Sequence, residues 1–210
     1  MKCAEIKKIV GNTPDMTFEQ AQVITDFIQQ NDIVDILELG FASGVSTCYM
    51  AAALQESGGG TITSIDIDAA RIRKPNIAQM IDRCGTKSLV TYYFEPTSYI
   101  WRLMKFLEED PIPSFDFCYI DGAHSWYVDG FAFFLVDRLL RPGGWIIFDD
   151  LNWTYDKSPT LRNSEFVKAM TQDERQTPQI LKVFELLVKR HPNYSDFATS
   201  GSWAYAHKLK

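Results

Sequence analysis

The chain has 210 residues, 46% of them hydrophobic, and a net charge of −6 without a basic stretch, which suits one well-packed domain and argues against nucleic-acid binding. No apolar run approaches the roughly 18 residues of a membrane span, and the first residues lack the apolar core of a signal peptide. The four cysteines are dispersed and the three histidines form no zinc pattern, so we expect free thiols in a reducing, cytoplasmic compartment.

The first part of the chain predicts a helical lead and then a strand. Residues 1–16 form a short lead, and Thr17 with Gln20 forms a capping box before a run of apolar residues at helical spacing. The apolar run Ile33–Leu39 predicts a buried strand, and Val45–Leu54 predicts the helix that follows it.

Strands and helices then alternate along the chain. The further predicted strands are Thr61–Ile65, Leu89–Phe94, Phe115–Ile120 and Trp145–Phe148, and the helices between them cover about 75–84, 98–107 and 126–140. A sharp turn is predicted at Arg141-Pro142-Gly143-Gly144. Five strands alternating with helices indicate a parallel sheet covered on both faces.

The pattern changes after Asp150. Residues 151–164 are polar and predict a lid, followed by a short helix at about 163–170 and a longer one at about 178–190. Two strand-like runs, Tyr194–Thr199 and Trp203–Lys208, predict a terminal hairpin.

We therefore predict an α/β fold in one doubly wound, Rossmann-like, seven-stranded sheet, with five parallel strands, a C-terminal antiparallel hairpin and helices on both faces. The predicted single domain, 1–210, consists of a helical lead (1–32), a cofactor-binding core (33–150), a lid with helices (151–192) and the hairpin (193–210).

The turn after the first strand is the most informative motif. A strand, a glycine-bearing turn and a helix expose backbone N–H groups to a ligand, although a tight turn without a ligand has the same pattern. The turn lacks the G-x-G-x-x-G of dinucleotide-binding proteins. It resembles the E-x-G-x-x-x-G turn of class I S-adenosylmethionine-dependent methyltransferases, in which this loop wraps the methionine part of the cofactor. The resemblance implies cofactor contacts from Glu38, Gly40, Phe41, Ala42, Ser43, Gly44 and Ser46.

Two further strand ends fit the same cofactor. Asp66, followed by Ile67, ends the second strand, where a carboxylate can accept hydrogen bonds from ribose hydroxyls; the alternative is a helix N-cap. Glu95, Thr97 and Ser98 follow the third strand, where this family contacts the adenine, and Ser98 could also cap a helix.

Three acids end the fourth and fifth strands. Asp121, Asp149 and Asp150 should converge at one edge of the sheet, because parallel strands present their carboxyl ends together. Such carboxylates repel one another unless they are protonated or bridged by a cation, and hard oxygen ligands select Mg²⁺ or another divalent cation over zinc. The alternative is that one acid caps a helix and another faces solvent.

The segment Asp116–Asp150 extends the resemblance. Its D-x-x-x-I-D-G-x-H core, the R-P-G-G turn and the Asp-Asp pair are similar to the metal-dependent O-methyltransferases of the catechol and macrocin types, and to methyltransferase family 24. The resemblance covers most of residues 14–150. It implies that Asp121, Asp149 and Asp150 hold the metal and that Asp121 also contacts the cofactor. His124 stands where the catechol enzymes have a lysine, so it is either the general base or a residue that orients Asp121.

The sequence thus predicts transfer of a methyl group to a hydroxyl oxygen of a small molecule, either a sugar or an aromatic compound. Trp153 and Tyr155, in the segment after the fifth strand, could wall that acceptor. The sequence leaves open whether the protein forms a homodimer, and we expect no nucleic-acid or membrane partner. The alternatives are a nicotinamide-dependent oxidoreductase, which the missing G-x-G-x-x-G disfavours, and a non-catalytic cofactor-binding protein of the same fold.

Overall fold

The computed structural model describes residues 2–209, so Met1 and Lys210, the ends of the predicted domain, lie outside the described residues. The strands are β1 (Asp35–Leu39), β2 (Thr61–Ile67), β3 (Val90–Glu95), β4 (Phe115–Ile120), β5 (Leu140–Phe148), β6 (Tyr194–Ser200) and β7 (Trp203–Lys208). The helices are α1 (Cys3–Val10), α2 (Phe18–Gln30), α3 (Val45–Glu56), α4 (Ile77–Arg83), α5 (Tyr99–Leu107), α6 (Trp126–Leu139), α7 (Glu165–Lys168), α8 (Gln172–Gln176) and α9 (Gln179–Val183).

The strands form one seven-stranded sheet in the order β3-β2-β1-β4-β5-β7-β6. Strands β1 to β5 are parallel, and β7 runs antiparallel to both β5 and β6. The predicted fold is confirmed, including the terminal hairpin. Because the strand order reverses between β1 and β4, the loops after these two strands diverge and leave a crevice for a ligand.

The sheet is buried on both faces. Alternate side chains of β1, such as Ile36 and Leu37, enter opposite cores. Helices α1 to α4 cover one face, and α5, α6 and α9 cover the other. This double burial explains why the parallel strands read as continuous apolar runs.

The structure also gives the state of the cysteines and the lengths of the helices. Cys3, Cys48, Cys84 and Cys118 are free thiols, as predicted. Within residues 2–209, no helix has the length and apolar character needed to cross a membrane.

Two local details go beyond or differ from the predictions. Within the predicted helical lead, residues 1–16 contain helix α1, whose bounds were not predicted and which buries Ile6 and Val10. The Arg141–Gly144 segment is a bulge inside β5, because Leu140 pairs with Phe115 while Trp145 already pairs with Phe117.

The two helices predicted in the C-terminal part have different outcomes. The region around 163–170 holds only the four-residue α7, because a new capping box at Thr171 starts α8. The longer helix predicted at about 178–190 is present as α9 followed directly by a π-helix over Phe184–Val188.

Candidate active site

Three adjoining cavities lie at the carboxyl ends of the strands. The central cavity, of about 450 Å³, is bounded by the β1–α3 turn, the end of β2 and the β4–α6 loop. The side cavity shares Asp66, Ile67, Gly122 and Leu161 with it and extends to the β3–α5 loop. The N-terminal cavity shares Asp15, Asp121 and Asp150 with the central one and extends to residues 12–20. The central cavity is therefore joined to both of the others.

Neighbouring backbone and side-chain atoms leave no room for a side chain at two glycines of the β1–α3 turn. Gly40 has a φ of 89°, and a Cβ built on it would lie 2.0 Å from the carbonyl oxygen of Asp121. Gly44 has a φ of 85°, and its Cβ would lie 2.9 Å from Cγ1 of Ile77 in α4. Only glycine fits at these positions, because other residues resist a positive φ and would collide. The motif therefore also reflects packing.

Glu38 lies beneath this turn and away from the cavities. Its carboxylate is fully buried and accepts hydrogen bonds from the hydroxyls of Ser46 (2.5 Å), Thr47 (2.6 Å) and Ser64 (2.6 Å). Burial raises the pKa of Glu38 to about 7, against the opposing effect of these three donors. The predicted cofactor role of Glu38 would thus act through the shape of the turn, since its oxygens are occupied inside the protein.

Asp66 connects the turn to the end of β2. Its carboxylate accepts hydrogen bonds from the backbone N–H groups of Phe41 (3.0 Å), Ala42 (2.7 Å) and Ile67 (2.7 Å). Burial raises the pKa of Asp66, while these backbone donors lower it. Asp66 lines both the central and the side cavity.

The remaining residues predicted to bind a cofactor divide into two groups. Those that line the central or the side cavity are Gly40, Phe41, Ala42, Ser46, Ile67, Thr97, Ser98 and Asp121. Ser43 is buried, and Glu95 is buried at the end of β3 in an ion pair with Arg102 at 2.6 Å. The hydroxyl of Ser98 also caps α5 by accepting a hydrogen bond from Ile100 N at 3.2 Å.

The β4–α6 loop and the end of β5 form a cluster of charged side chains. Nε2 of His124 lies 3.3 Å from Oδ1 of Asp121 and 3.1 Å from Oδ2 of Asp150. One ligand atom from each of these residues lies within 4.8 Å of the others, a spacing that could hold a metal ion. Burial raises the pKa of Asp121 to about 7. Burial lowers the pKa of His124, but its hydrogen bonds to Asp121 and Asp150 outweigh this and raise it to about 10.

Asp149, the third acid of the predicted metal set, has other partners in this geometry. Its carboxylate accepts hydrogen bonds from the hydroxyls of Tyr119 (2.6 Å) and Ser202 (2.7 Å), and from Asp150 N (2.5 Å). Asp149 is buried and lines the N-terminal cavity beside Asp121 and Asp150. Its bond to Asp150 N supports the end of β5, where Asp150 adopts a φ of 56°.

A buried pair holds the β4–α6 loop from below. The hydroxyl of Tyr99 donates to the carboxylate of Asp129, which also accepts a hydrogen bond from Ser125 N at 2.8 Å. The ring of Tyr99 lies so close to Gly122 that a Cβ there would be 2.4 Å from it. These contacts fix a loop in which His124 has a φ of 53°.

Sequence reasoning missed an ion pair that spans the central cavity. Asp15, before α2, lies 3.7 Å from the guanidinium of Arg73, and both line this cavity. Asp15 has no sequence motif of its own, although it lies two residues before Thr17 of the predicted capping box.

The two aromatic residues predicted to wall an acceptor have different environments. Trp153 lines the central cavity, and its ring lies 4.9 Å from the ring of His124. Tyr155 is buried, and its ring packs against Trp153 at 4.7 Å and against Phe166 at 5.9 Å. Trp153 thus lines the central cavity, and Tyr155, which packs against it, lines the side cavity.

Comparison with known proteins places the chain in a family. Residues 37–151, which contain the turn after β1 and the acids after β4 and β5, match a family described as a methyltransferase domain. The chain belongs to this methyltransferase family. The resemblance seen in the sequence is confirmed.

The sequence of the methyltransferase is also similar to a catechol O-methyltransferase of Niastella koreensis. The two are 33% identical over 117 residues, which is 56% of this chain and 49% of the relative. The match thus spans about half the length of that relative.

Solved structures of methyltransferases share the fold. An O-methyltransferase from Bacillus cereus in complex with SAH (S-adenosylhomocysteine) has a TM-score of 0.70 at 21% identity and covers 98% of this chain and 90% of its own. The O-methyltransferase TomG from Streptomyces achromogenes, involved in tomaymycin synthesis and in complex with SAM (S-adenosylmethionine), has a TM-score of 0.68 at 17% identity, covering 99% and 88%. An SAH-bound methyltransferase from Podospora anserina has a TM-score of 0.69 at 17% identity, covering 99% and 87%.

Proposed function

We propose that this methyltransferase uses S-adenosylmethionine to methylate a hydroxyl oxygen of a small molecule with the help of a divalent cation. The observation that carries the proposal is that the central cavity is joined to the side cavity at Asp66 and Gly122, and to the N-terminal cavity at Asp121 and Asp150. A cofactor that fills the side and central cavities would present its reactive end where the N-terminal cavity and the acid cluster begin.

The cofactor contacts follow from this placement. The adenine would lie in the side cavity near Thr97 and Ser98, and the ribose hydroxyls would meet Asp66. Asp66 keeps acceptor capacity for them, because a carboxylate has about four acceptor sites and three are used by backbone donors. The methionine part would run along Gly40–Ala42 in the central cavity. Bound there, the cofactor would supply an electrophilic methyl group.

The residues around Asp121 fit a hard cation. We propose that Asp121 and Asp150 hold it, with the third acid, Asp149, fixing Asp150 through the Asp150 N–H bond. Carboxylate oxygens suit Mg²⁺ or Mn²⁺, and within residues 2–209 the His124 ring is the one basic group that forms an ion pair with Asp121 or Asp150. A divalent cation bound there would lower the pKa of the acceptor hydroxyl and orient its oxygen.

His124 is the proposed proton acceptor for that hydroxyl. Its Nε2 points at both carboxylates and therefore at the place where the acceptor oxygen would bind. With the pKa raised to about 10, the ring is protonated near neutral pH. A base role therefore requires His124 to lose these carboxylate contacts when the cation takes them over.

The acceptor would enter through the N-terminal cavity. Its lining is mostly polar, with Asn12, Thr13, Thr17 and Gln20 facing the acids. This lining fits a hydroxyl-rich acceptor such as a sugar. Trp153 offers one aromatic surface at the adjoining end of the central cavity, so a catechol-like ring is the second candidate.

Calorimetric titration with SAH and with NAD tests the cofactor. We expect SAH to bind and NAD to give no signal. Asp66→Ala should weaken SAH binding by about 1.5–3 kcal/mol, the range for a hydrogen bond to a charged group, whereas Asp68→Ala serves as the matched control. Asp68 is the next carboxylate along the chain and pairs with Arg71 on the surface. Binding of NAD without any response to SAH would refute the proposal.

A further inference from the structure

The outward side of helix α6 exposes aromatic residues where a surface helix normally carries polar ones. Tyr127, Phe131 and Phe134 lie on one side of this helix, at positions i, i+4 and i+7, and are 68%, 52% and 44% exposed. Trp126 at the start of α6 (39% exposed) and Leu186 of the neighbouring π-helix (43% exposed) border them. We call these five residues the α6 face. Nothing within residues 2–209 covers it.

The α6 face is large for the surface of a monomer. Its five side chains expose roughly 500 Å² if each full side chain contributes about 200 Å². That area is at the upper end of the roughly 300–600 Å² typical of the largest apolar patch on a monomer. A stable interface buries about 800 Å² on each partner, with an apolar centre and a polar rim. The α6 face has the size of such a centre.

We propose that the α6 face is the interface of a homodimer in which α6 packs antiparallel against α6 of a second copy. A twofold axis near Phe131 would bring Phe134 of each copy onto Tyr127 of the other, since these residues are about 10 Å apart along the helix. Each Phe134 would then contact an aromatic residue of the other copy.

The charges at the two ends of the face fit the same arrangement. Exposed Arg138 lies one turn beyond Phe134, whereas exposed Glu174 borders the groove that contains Trp126 and Tyr127. Lys182 also lines this groove, but its charge has a partner of its own in Glu185 at 4.0 Å. An antiparallel pair would place Arg138 of each copy towards Glu174 of the other, which favours a second copy over an unrelated partner.

Sedimentation velocity of the full chain at concentrations on the order of 1–100 μM tests the proposal. We expect a reversible dimer for the parent protein. Phe131→Glu and Phe134→Glu should each raise the dissociation constant at least 100-fold, because Phe131→Glu would bring two like charges together near the axis and Phe134→Glu would bury a carboxylate against Tyr127 of the other copy. Arg138→Glu should weaken the dimer by about 10-fold at low salt and by less at high salt.

Val23→Glu is the matched control, since Val23 is a 48% exposed residue on α2, which covers the opposite face of the sheet. It should leave the dimer unchanged, and circular dichroism should show that all variants are folded. A parent protein that stays monomeric throughout, or a dimer that survives Phe131→Glu and Phe134→Glu, would overturn the proposal.

Discussion

A Cβ built on Gly40 would lie 2.0 Å from the carbonyl oxygen of Asp121, so the turn after β1 and the loop after β4 are packed backbone against backbone. This contact joins the proposed methionine cradle to the acid cluster. A change at Gly40 should therefore disturb both parts of the site together.

Gly40→Ala should lower the free energy of unfolding by at least about 2 kcal/mol and abolish SAH binding, because the methyl group adds a collision to the strain of a positive φ. Gly143→Ala is the control: Gly143 has a similar φ of 82°, with open space around its Cβ position. It should cost only the backbone strain, about 1 kcal/mol, and leave SAH binding intact. Chemical denaturation and calorimetry measure the two effects, and equal losses in both variants would contradict the packing argument.

Glu38→Gln should change how stability depends on pH. The folded-state pKa of Glu38 is about 7, against an ordinary value of 4.5, so the folded protein retains a proton that the unfolded chain has lost. Its contribution to stability is present below about pH 4.5 and is lost as the pH rises to about 7. The glutamine variant has no titrating group at this position. Between about pH 4.5 and 7, the difference in free energy of unfolding (variant minus parent) should therefore rise by up to about 3 kcal/mol.

Urea denaturation of parent and variant at several pH values measures this difference. Glu109→Gln, at an exposed position, should show the pH dependence of the parent. Parallel pH profiles for the parent and Glu38→Gln would show that Glu38 is ionised throughout in the folded state.

Asp121→Asn and Asp150→Asn should each weaken Mn²⁺ binding by more than about 10-fold, because each removes a proposed ligand, and binding in the parent should fall as the carboxylates become protonated. Electron paramagnetic resonance measures free Mn²⁺ directly. Asp82→Asn, an exposed acid on α4, is the control. Excess chelator should stop methyl transfer while leaving the fold intact. Unchanged methyl transfer in chelator would eliminate the metal role.

His124→Ala separates a chemical role from a positioning role. If His124 accepts the proton, kcat should fall by roughly 10²–10⁴-fold with SAH affinity nearly unchanged. If it only orients Asp121, metal affinity should fall by roughly 10–100-fold and excess metal should restore the rate. A titration of rate against metal, with catechol and a simple sugar as trial acceptors, distinguishes the two. His207→Ala, at the far edge of the sheet beside Asp196, is the control, and near-normal rates at every metal concentration would remove His124 from the mechanism.

The pattern of the amino-acid sequence is sufficient to predict the sheet and the edge at which its acidic residues meet. Apolar runs of strand length, separated by helical patterns, specify parallel strands, and the chirality of their connections leaves few strand orders. The turn after β1 and the acids after β2, β4 and β5 then had to meet at one edge, because the carboxyl ends of parallel strands lie together. The predicted fold is confirmed for this reason.

The hydrogen-bond partners of each carboxylate depend on long-range packing and could not be predicted from local sequence patterns. Glu38 and Asp149 lie in or directly after a strand, as Asp66 and Asp121 do, yet each accepts hydrogen bonds from two or more hydroxyl groups of the protein, and for Asp149 these come from Tyr119 and Ser202, 30 and 53 positions away. Asp121 instead lies 3.3 Å from His124, which also contacts Asp150 at 3.1 Å. Local patterns identify an acid at a strand end but not the donors that long-range packing brings to it, and those donors determine whether its oxygens remain available to a ligand.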